Sequence, residues 1–174
     1  MVDKLFAGCE VYYSGSIRGV SEPDPELPWK LVQFMLENGA NVLSEHVAAR
    51  NPREMAEIRA IRMGTTVAEL NQDPAPWIRV RSQDLAWVDQ ATHVVALVNG
   101  PSHGVGMEIQ HALLKPRLGK NITQILALVR EDLASKVTFM IQGITENNFS
   151  LAEYTDFESA AAIVSRFLLQ FPRE

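Results

Sequence analysis

The sequence predicts an α/β protein in which a parallel sheet carries helices on both faces. Strand-like and helix-like runs alternate along the chain, the pattern of repeated strand–helix–strand units. Residues 93–98 (HVVALV) are a continuous apolar run of strand length, as expected of a strand covered on both sides, and 122–129 reads as another buried strand. The length of 174 residues, with 47% hydrophobic and 21% charged, suits one well-filled core, so residues 1–174 are expected to form a single domain.

Taken in order, residues 9–14 (CEVYYS) are β-prone and end at Gly15, and residues 15–19 (GSIRG) read as a turn. Three prolines make residues 21–28 a loop. From Trp29, Leu31, Val32, Met35 and Leu36 fall at helical spacing until Gly39 stops the run. Residues 41–45 (NVLSE) read as a second strand with His46 at its carboxyl end. Residues 54–62 suit a charged helix with Met55, Ile58 and either Ile61 or Met63 inward. Thr66 can cap another short helix, and Pro74 and Pro76 then break the chain. A helix over 80–90 follows, with Leu85 and Val88 on its apolar side. After the strand at 93–98, Asn99, Gly100 and Pro101 lead to a helix over 104–114. The remaining elements are a strand over 122–129, a helix over 136–141, a strand over 149–154 and an amphipathic helix over 157–169. In that last helix Ile163, Val164 and Phe167 point inward.

Composition narrows the function. A net charge of −5 is wrong for gripping a nucleic-acid polymer or an anionic membrane, yet leaves room for a small phosphorylated ligand. The single Cys9 excludes an intrachain disulfide framework and a Cys-rich zinc site. No apolar run has bilayer-spanning length, and the start lacks a signal-peptide pattern, so a cytoplasmic location is expected.

In parallel sheets ligands lie outside the carboxyl ends of the strands, where strand order reverses. The turn Ser14–Gly15–Ser16–Ile17–Arg18–Gly19 combines close-approach glycines, hydroxyls and a guanidinium suited to an oxyanion. By itself it reads as a surface turn. Residues 101–108 (PSHGVGME) are more telling, because they follow a buried strand and open a helix, where N–H groups favour an anion. Ser102 can cap that helix and offer a hydroxyl, and Gly104 and Gly106 leave room for a sugar or phosphate. Glu108 is expected in the first helical turn, ionised and available as a nucleophile. Asp84, expected near the start of its helix, supplies a second carboxyl group. Retaining glycosidases use such a pair roughly 5 Å apart. His46 can contact a ligand and His103 lies in the glycine loop, whereas His93 and His111 read as packing or surface residues. No pair has zinc spacing, so no metal is expected. Trp29, Trp77 and Trp87 read as core or interface residues.

Four segments together resemble the 2′-deoxynucleoside 5′-phosphate N-hydrolases, relatives of the nucleoside 2-deoxyribosyltransferases. They are residues 12–19 (YYSGSIRG), 43–49 (LSEHVAA), 83–87 (QDLAW) and 101–108 (PSHGVGME), in the family's order, with a weaker echo at 138–143. The resemblance implies a flavodoxin-like (Rossmann-like) five-stranded parallel sheet, a homodimer, no cofactor, and cleavage of the N-glycosidic bond of deoxynucleoside monophosphates. It makes Glu108 the nucleophile at C1′, forming a covalent intermediate, Asp84 the proton donor, and Tyr12 the group that orients Glu108. It assigns Gly15, Ser16, Ile17, Arg18, Gly19, Ser102, Gly104 and Gly106 to the nucleotide, chiefly its 5′-phosphate. It sets His46 near the nucleotide and Thr138 at the neighbouring subunit's phosphate. Val20, His103 and the long stretch 50–78 depart from the family pattern. That stretch is expected near the base.

The transferases carry an acidic residue six positions before the nucleophile. Ser102 stands there in this chain, and a hydroxyl donates to a phosphate that a carboxylate would repel. Hydrolysis of a monophosphate is thus the first expectation. Base exchange on deoxynucleosides, cleavage of CMP-type ribonucleotides and a nucleotide-sensing module are the alternatives.

Overall fold

The computed structural model describes residues 4–16 and 24–170. The strands are β1 (Glu10–Ser14), β2 (Asn41–Val42), β3 (His93–Leu97), β4 (Gln124–Arg130) and β5 (Phe149–Tyr154). The helices are α1 (Leu27–Glu37), α2 (Pro52–Arg62), α3 (Val67–Gln72), α4 (Pro76–Gln90), α5 (His103–Leu114), α6 (Phe139–Gln142) and α7 (Phe157–Gln170). All strand pairs are parallel, in the order β2-β1-β3-β4-β5. This is the flavodoxin-like α/β arrangement that the alternation implies.

Alternation along the strands builds two cores. Val11, Tyr13, Val95, Leu97, Leu126 and Leu128 pack with Leu31 and Met35 of α1 and Val164 and Phe167 of α7. The opposite faces of the same strands, with Tyr12, Val94, Ala96, Ile125 and Ala127, meet Trp87 and Val88 of α4 and Ile109 and Ala112 of α5. The chain leaves β1 toward β2 and returns to β1's other side as β3. The switch point therefore lies at the carboxyl ends of β1 and β3.

Several expectations shift. Pro76 opens α4 rather than ending a loop, because the first helical position needs no N–H. Asp84 consequently sits in mid-helix, not near the start. Pro28 lies likewise in the first turn of α1, and α2 begins at Pro52 with Asn51 as its cap. β2 is only two residues long: Ser44 Oγ donates to the Tyr13 carbonyl (2.7 Å) and the chain turns into a 3-10 turn, Glu45–Ala48, which carries His46. Ile61 faces solvent, while Met63 packs against the α4–α5 core. Ile122 precedes β4 and is exposed, and residues 131–142 form a 3-10 turn followed by the short α6. Trp77 is 68% exposed and so not a core residue. Thr66 caps α3 as the sequence suggests, and Glu69 accepts in return from the cap's N–H, completing a capping box.

The carboxyl end of α4 is closed by a buried cation. Lys115 Nζ donates to the carbonyls of Val88 (3.1 Å), Asp89 (2.8 Å) and Ala91 (3.0 Å), and to Thr123 Oγ1. Three of its four partners are carbonyls at or just beyond the helix end, where intrahelical donors run out. Lys115→Met is expected to cost about 3 kcal/mol, lowering the thermal midpoint by roughly 6–12 °C. An unchanged midpoint would show that those carbonyls find other donors.

Candidate active site

Successive strand residues point to opposite faces, so Tyr12 and Ser14 of β1 emerge on the same side. Both meet one carboxylate. Tyr12 Oη donates to Glu108 Oε1 (3.0 Å), and Ser14 Oγ donates to Glu108 Oε2. Glu108 comes from α5, which the loop after β3 delivers across the switch point. Ser102 caps that helix, its Oγ accepting from Val105 N–H at 3.5 Å. The helix starts at His103, so Glu108 is in its second turn, beyond the reach of the terminal dipole. Its ionisation is governed instead by burial, which pushes the carboxyl up to about 7. The Ser14 and Tyr12 hydrogen bonds oppose this rise, and the charge of Asp84 adds to it.

Asp84 faces the same region from α4. Burial raises its carboxyl to about 6, against the pull of the Arg59 guanidinium. His46 is fully buried, with Nε2 3.9 Å from Asp84 Oδ1 and its ring tilted against Trp87 at 5.4 Å between centroids. Burial first, then the cations Arg59 and Arg62, lower the imidazole to about 3, so it is neutral at pH 7. The Tyr12 phenol is driven up by burial and then by Glu108 and Asp84, which keeps it a hydrogen-bond donor. Thus Tyr12, His46, Asp84 and Glu108 converge. A carboxylate held by two donors beside a second, independently raised carboxyl can attack a carbon centre and deliver a proton.

The glycine loop leaves space. A Cβ on Gly104 would reach only ordinary contact, 4.0 Å, with Glu108 Oε1 and Ser102 Oγ, and one on Gly106 would meet nothing within 4 Å. At Gly15 a Cβ would press on the Tyr13 ring at 3.1 Å, so a side chain there would oblige the ring to give by a few tenths of an ångström. Ser16 lines a small cavity with Gly15 and Asn99. Thr138 lines a groove of about 800 Å³ on the outer side of α5, shared with Ser102 and Gly106. Ile17, Arg18 and Gly19 lie outside the described residues, as does Val20. Among the described residues no cluster of three or more His, Cys, Asp or Glu could hold a metal ion. Two contributions escaped the sequence reading. Ser14, read there only as a hydroxyl of the anion-suited turn, donates to Glu108, and its place two residues after Tyr12 on one strand was the available signal; Arg59 of α2 carried none.

No protein-family model matches the chain. Curated relatives do. The chain is 34% identical to the rat (Rattus norvegicus) 5-hydroxymethyl-dUMP N-hydrolase over 97% of its own length and 90% of the relative's. The mouse (Mus musculus) protein of the same name is 34% identical, over 95% of this chain and 83% of that one. A Trichoplax adhaerens protein bearing the name 2′-deoxynucleoside 5′-phosphate N-hydrolase 1 is 30% identical, over 94% and 96%. Likeness of that extent, end to end in both partners, joins the carboxylate pair at the switch point in a single conclusion: the chain belongs to the 2′-deoxynucleoside 5′-phosphate N-hydrolase family.

Proposed function

We propose that the protein hydrolyses the N-glycosidic bond of 2′-deoxynucleoside 5′-monophosphates, giving free base and 2-deoxyribose 5-phosphate. The observation that carries this reading is the double hydrogen bonding of Glu108 by Tyr12 and Ser14, with Asp84 acting on it across the site. Glu108 attacks C1′ as the C1′–N bond breaks, the electron pair passing to the base while Asp84 supplies a proton. The covalent deoxyribosyl 5-phosphate ester then yields to water, which Asp84, now a carboxylate, deprotonates. Ser102, the Gly104–Gly106 loop, Ser16 and the 15–19 turn with Arg18 receive the phosphate. His46, held neutral, offers the nucleotide a hydrogen bond rather than a charge. The relatives' names make 5-hydroxymethyl-dUMP a substrate to test first.

Incubation with dCMP, dGMP, dTMP and 5-hydroxymethyl-dUMP is expected to release base and 2-deoxyribose 5-phosphate. A new nucleoside as the main product, when a second free base is added to a deoxynucleoside, would favour the transferase reading instead.

The reading extends to a homodimer of single-domain chains, working in a reducing, cytoplasmic setting that suits the buried free thiol of Cys9. No helix among the described residues is long and apolar enough to cross a membrane. Support for the dimer comes from α6, where Phe139 and Met140 are 89% and 81% exposed immediately after Thr138. A second copy covering that groove would bring Thr138 to its neighbour's phosphate. Met140→Glu is then expected to give monomers in sedimentation and to raise KM for the nucleotide. An unaltered sedimentation coefficient would contradict the assignment of this face.

A further inference from the structure

The two carboxylates of the site are unequally provided for. Both oxygens of Glu108 already receive hydrogen bonds. On the Asp84 side, four buried side-chain atoms have no hydrogen-bond partner: His46 Nδ1 and Nε2, Asp84 Oδ1 and Arg59 Nε. A buried polar atom left unpaired costs about 1–3 kcal/mol, and a concentration of them around one spot marks where a ligand's polar atoms belong. Arg59 narrows the ligand. A guanidinium is always charged and has donors only, so its counterpart must be an acceptor. Its helix packs against the Glu45–Ala48 turn that carries His46, whose Nε2 lies 3.9 Å from Asp84 Oδ1, and its charge acts on both groups, which sets it on the Asp84 side of the site. It projects from α2, part of the stretch by which this chain departs from the compact family pattern.

We infer that Arg59 is a leaving-base contact, donating a hydrogen bond to a carbonyl oxygen of the departing base. This rests on the proposed roles of Glu108 and Asp84. As the C1′–N bond breaks, its electron pair enters the base and spreads onto the carbonyl oxygen. Arg59 binds that growing negative charge without giving up a proton, and the proton that neutralises the base comes from Asp84. Glu108 forms the new bond to C1′, so charge and atoms balance. An interaction that strengthens only as charge develops lowers the barrier rather than the ground state. The contact also favours oxo bases over adenine, which presents an amino donor in place of the carbonyl.

The test compares wild type, Arg59→Met and Arg59→Lys on dCMP, dGMP, dTMP and 4-nitrophenyl 2-deoxyribose 5-phosphate. The nitrophenolate leaves without assistance. Arg59→Met is expected to lose about 10- to 100-fold in kcat on the oxo-base substrates it shares with wild type, with Arg59→Lys intermediate and the nitrophenyl substrate little changed. Equal loss on every substrate, nitrophenyl included, would overturn the proposal in favour of a structural or phosphate-binding role; no loss would overturn it outright. A wild type that cleaves the nitrophenyl compound and no nucleotide would also count against a base contact. A wild type inert toward all four would sink the Glu108–Asp84 reading itself.

Discussion

Glu108→Gln is expected to lower base release by at least about 10⁴-fold while nucleotide binding stays measurable. Loss of a nucleophile removes the covalent route altogether, and enzymes that share this logic lose several orders of magnitude on such a change. Glutamine keeps the volume and can still accept from Tyr12 or Ser14, so the fold and the phosphate end are undisturbed. The same variant should be more stable. A carboxyl whose folded value is raised to about 7 favours the folded state only at low pH, and that contribution is lost as pH rises from its ordinary value through about 7. Glutamine does not titrate. The variant's advantage over wild type is therefore expected to grow between pH 5 and pH 8, reaching about 2 kcal/mol. Urea titrations at both pH values measure it, and a constant difference would mean that Glu108 is not held in a site hostile to its charge.

Asp84→Asn is expected to reduce kcat on nucleotides by about 10²- to 10⁴-fold and to remove one limb of the pH profile. The reaction needs one proton on the pair: none leaves the base without a donor, and two leave C1′ without a nucleophile. With the carboxyls raised to about 6 and about 7, wild-type activity should peak between those values and fall on either side. These belong to the pair as a whole. Burial raises both carboxyls, so the pair holds a single proton over this range. A base nitrogen or oxygen facing Asp84 accepts only from the protonated acid, so the productive complex carries that proton on Asp84. Asparagine cannot donate a proton, so the descent above pH 7 that reports loss of the acid should vanish, leaving the rise with pH that reports Glu108. Persistence of both limbs in Asp84→Asn would assign the acid elsewhere.

Much of this arrangement was visible in the sequence because it rests on local patterns. The short, β-branched apolar runs of β3 and β4 have the length and composition of covered strands, and the segment from Ser102 to Glu108 announces a capped helix after a strand. The resemblance picked out Tyr12, Asp84 and Glu108, and the fold brings all three together. What remained hidden depends on tertiary position. Pro76 reads as a breaker until the helix begins on it, and Asp84 then moves from a helix start to mid-helix. β2 is cut short by a hydrogen bond from Ser44 to Tyr13, thirty-one residues away, which no local propensity contains. The raised carboxyls arise from burial between layers, the opposite of the dipole-stabilised glutamate that helix position alone suggests. Arg59 looks like one more charge on a polar helix until α2 folds against the turn that bears His46.

The most direct measurement is rapid acid quench of enzyme with excess 5-hydroxymethyl-dUMP or dGMP, followed by peptide mass spectrometry. A deoxyribosyl 5-phosphate ester is expected on the peptide containing Glu108, present in wild type and absent from Glu108→Gln. An adduct on another residue, or the same ester-sized mass persisting in Glu108→Gln, would contradict Glu108 as the nucleophile.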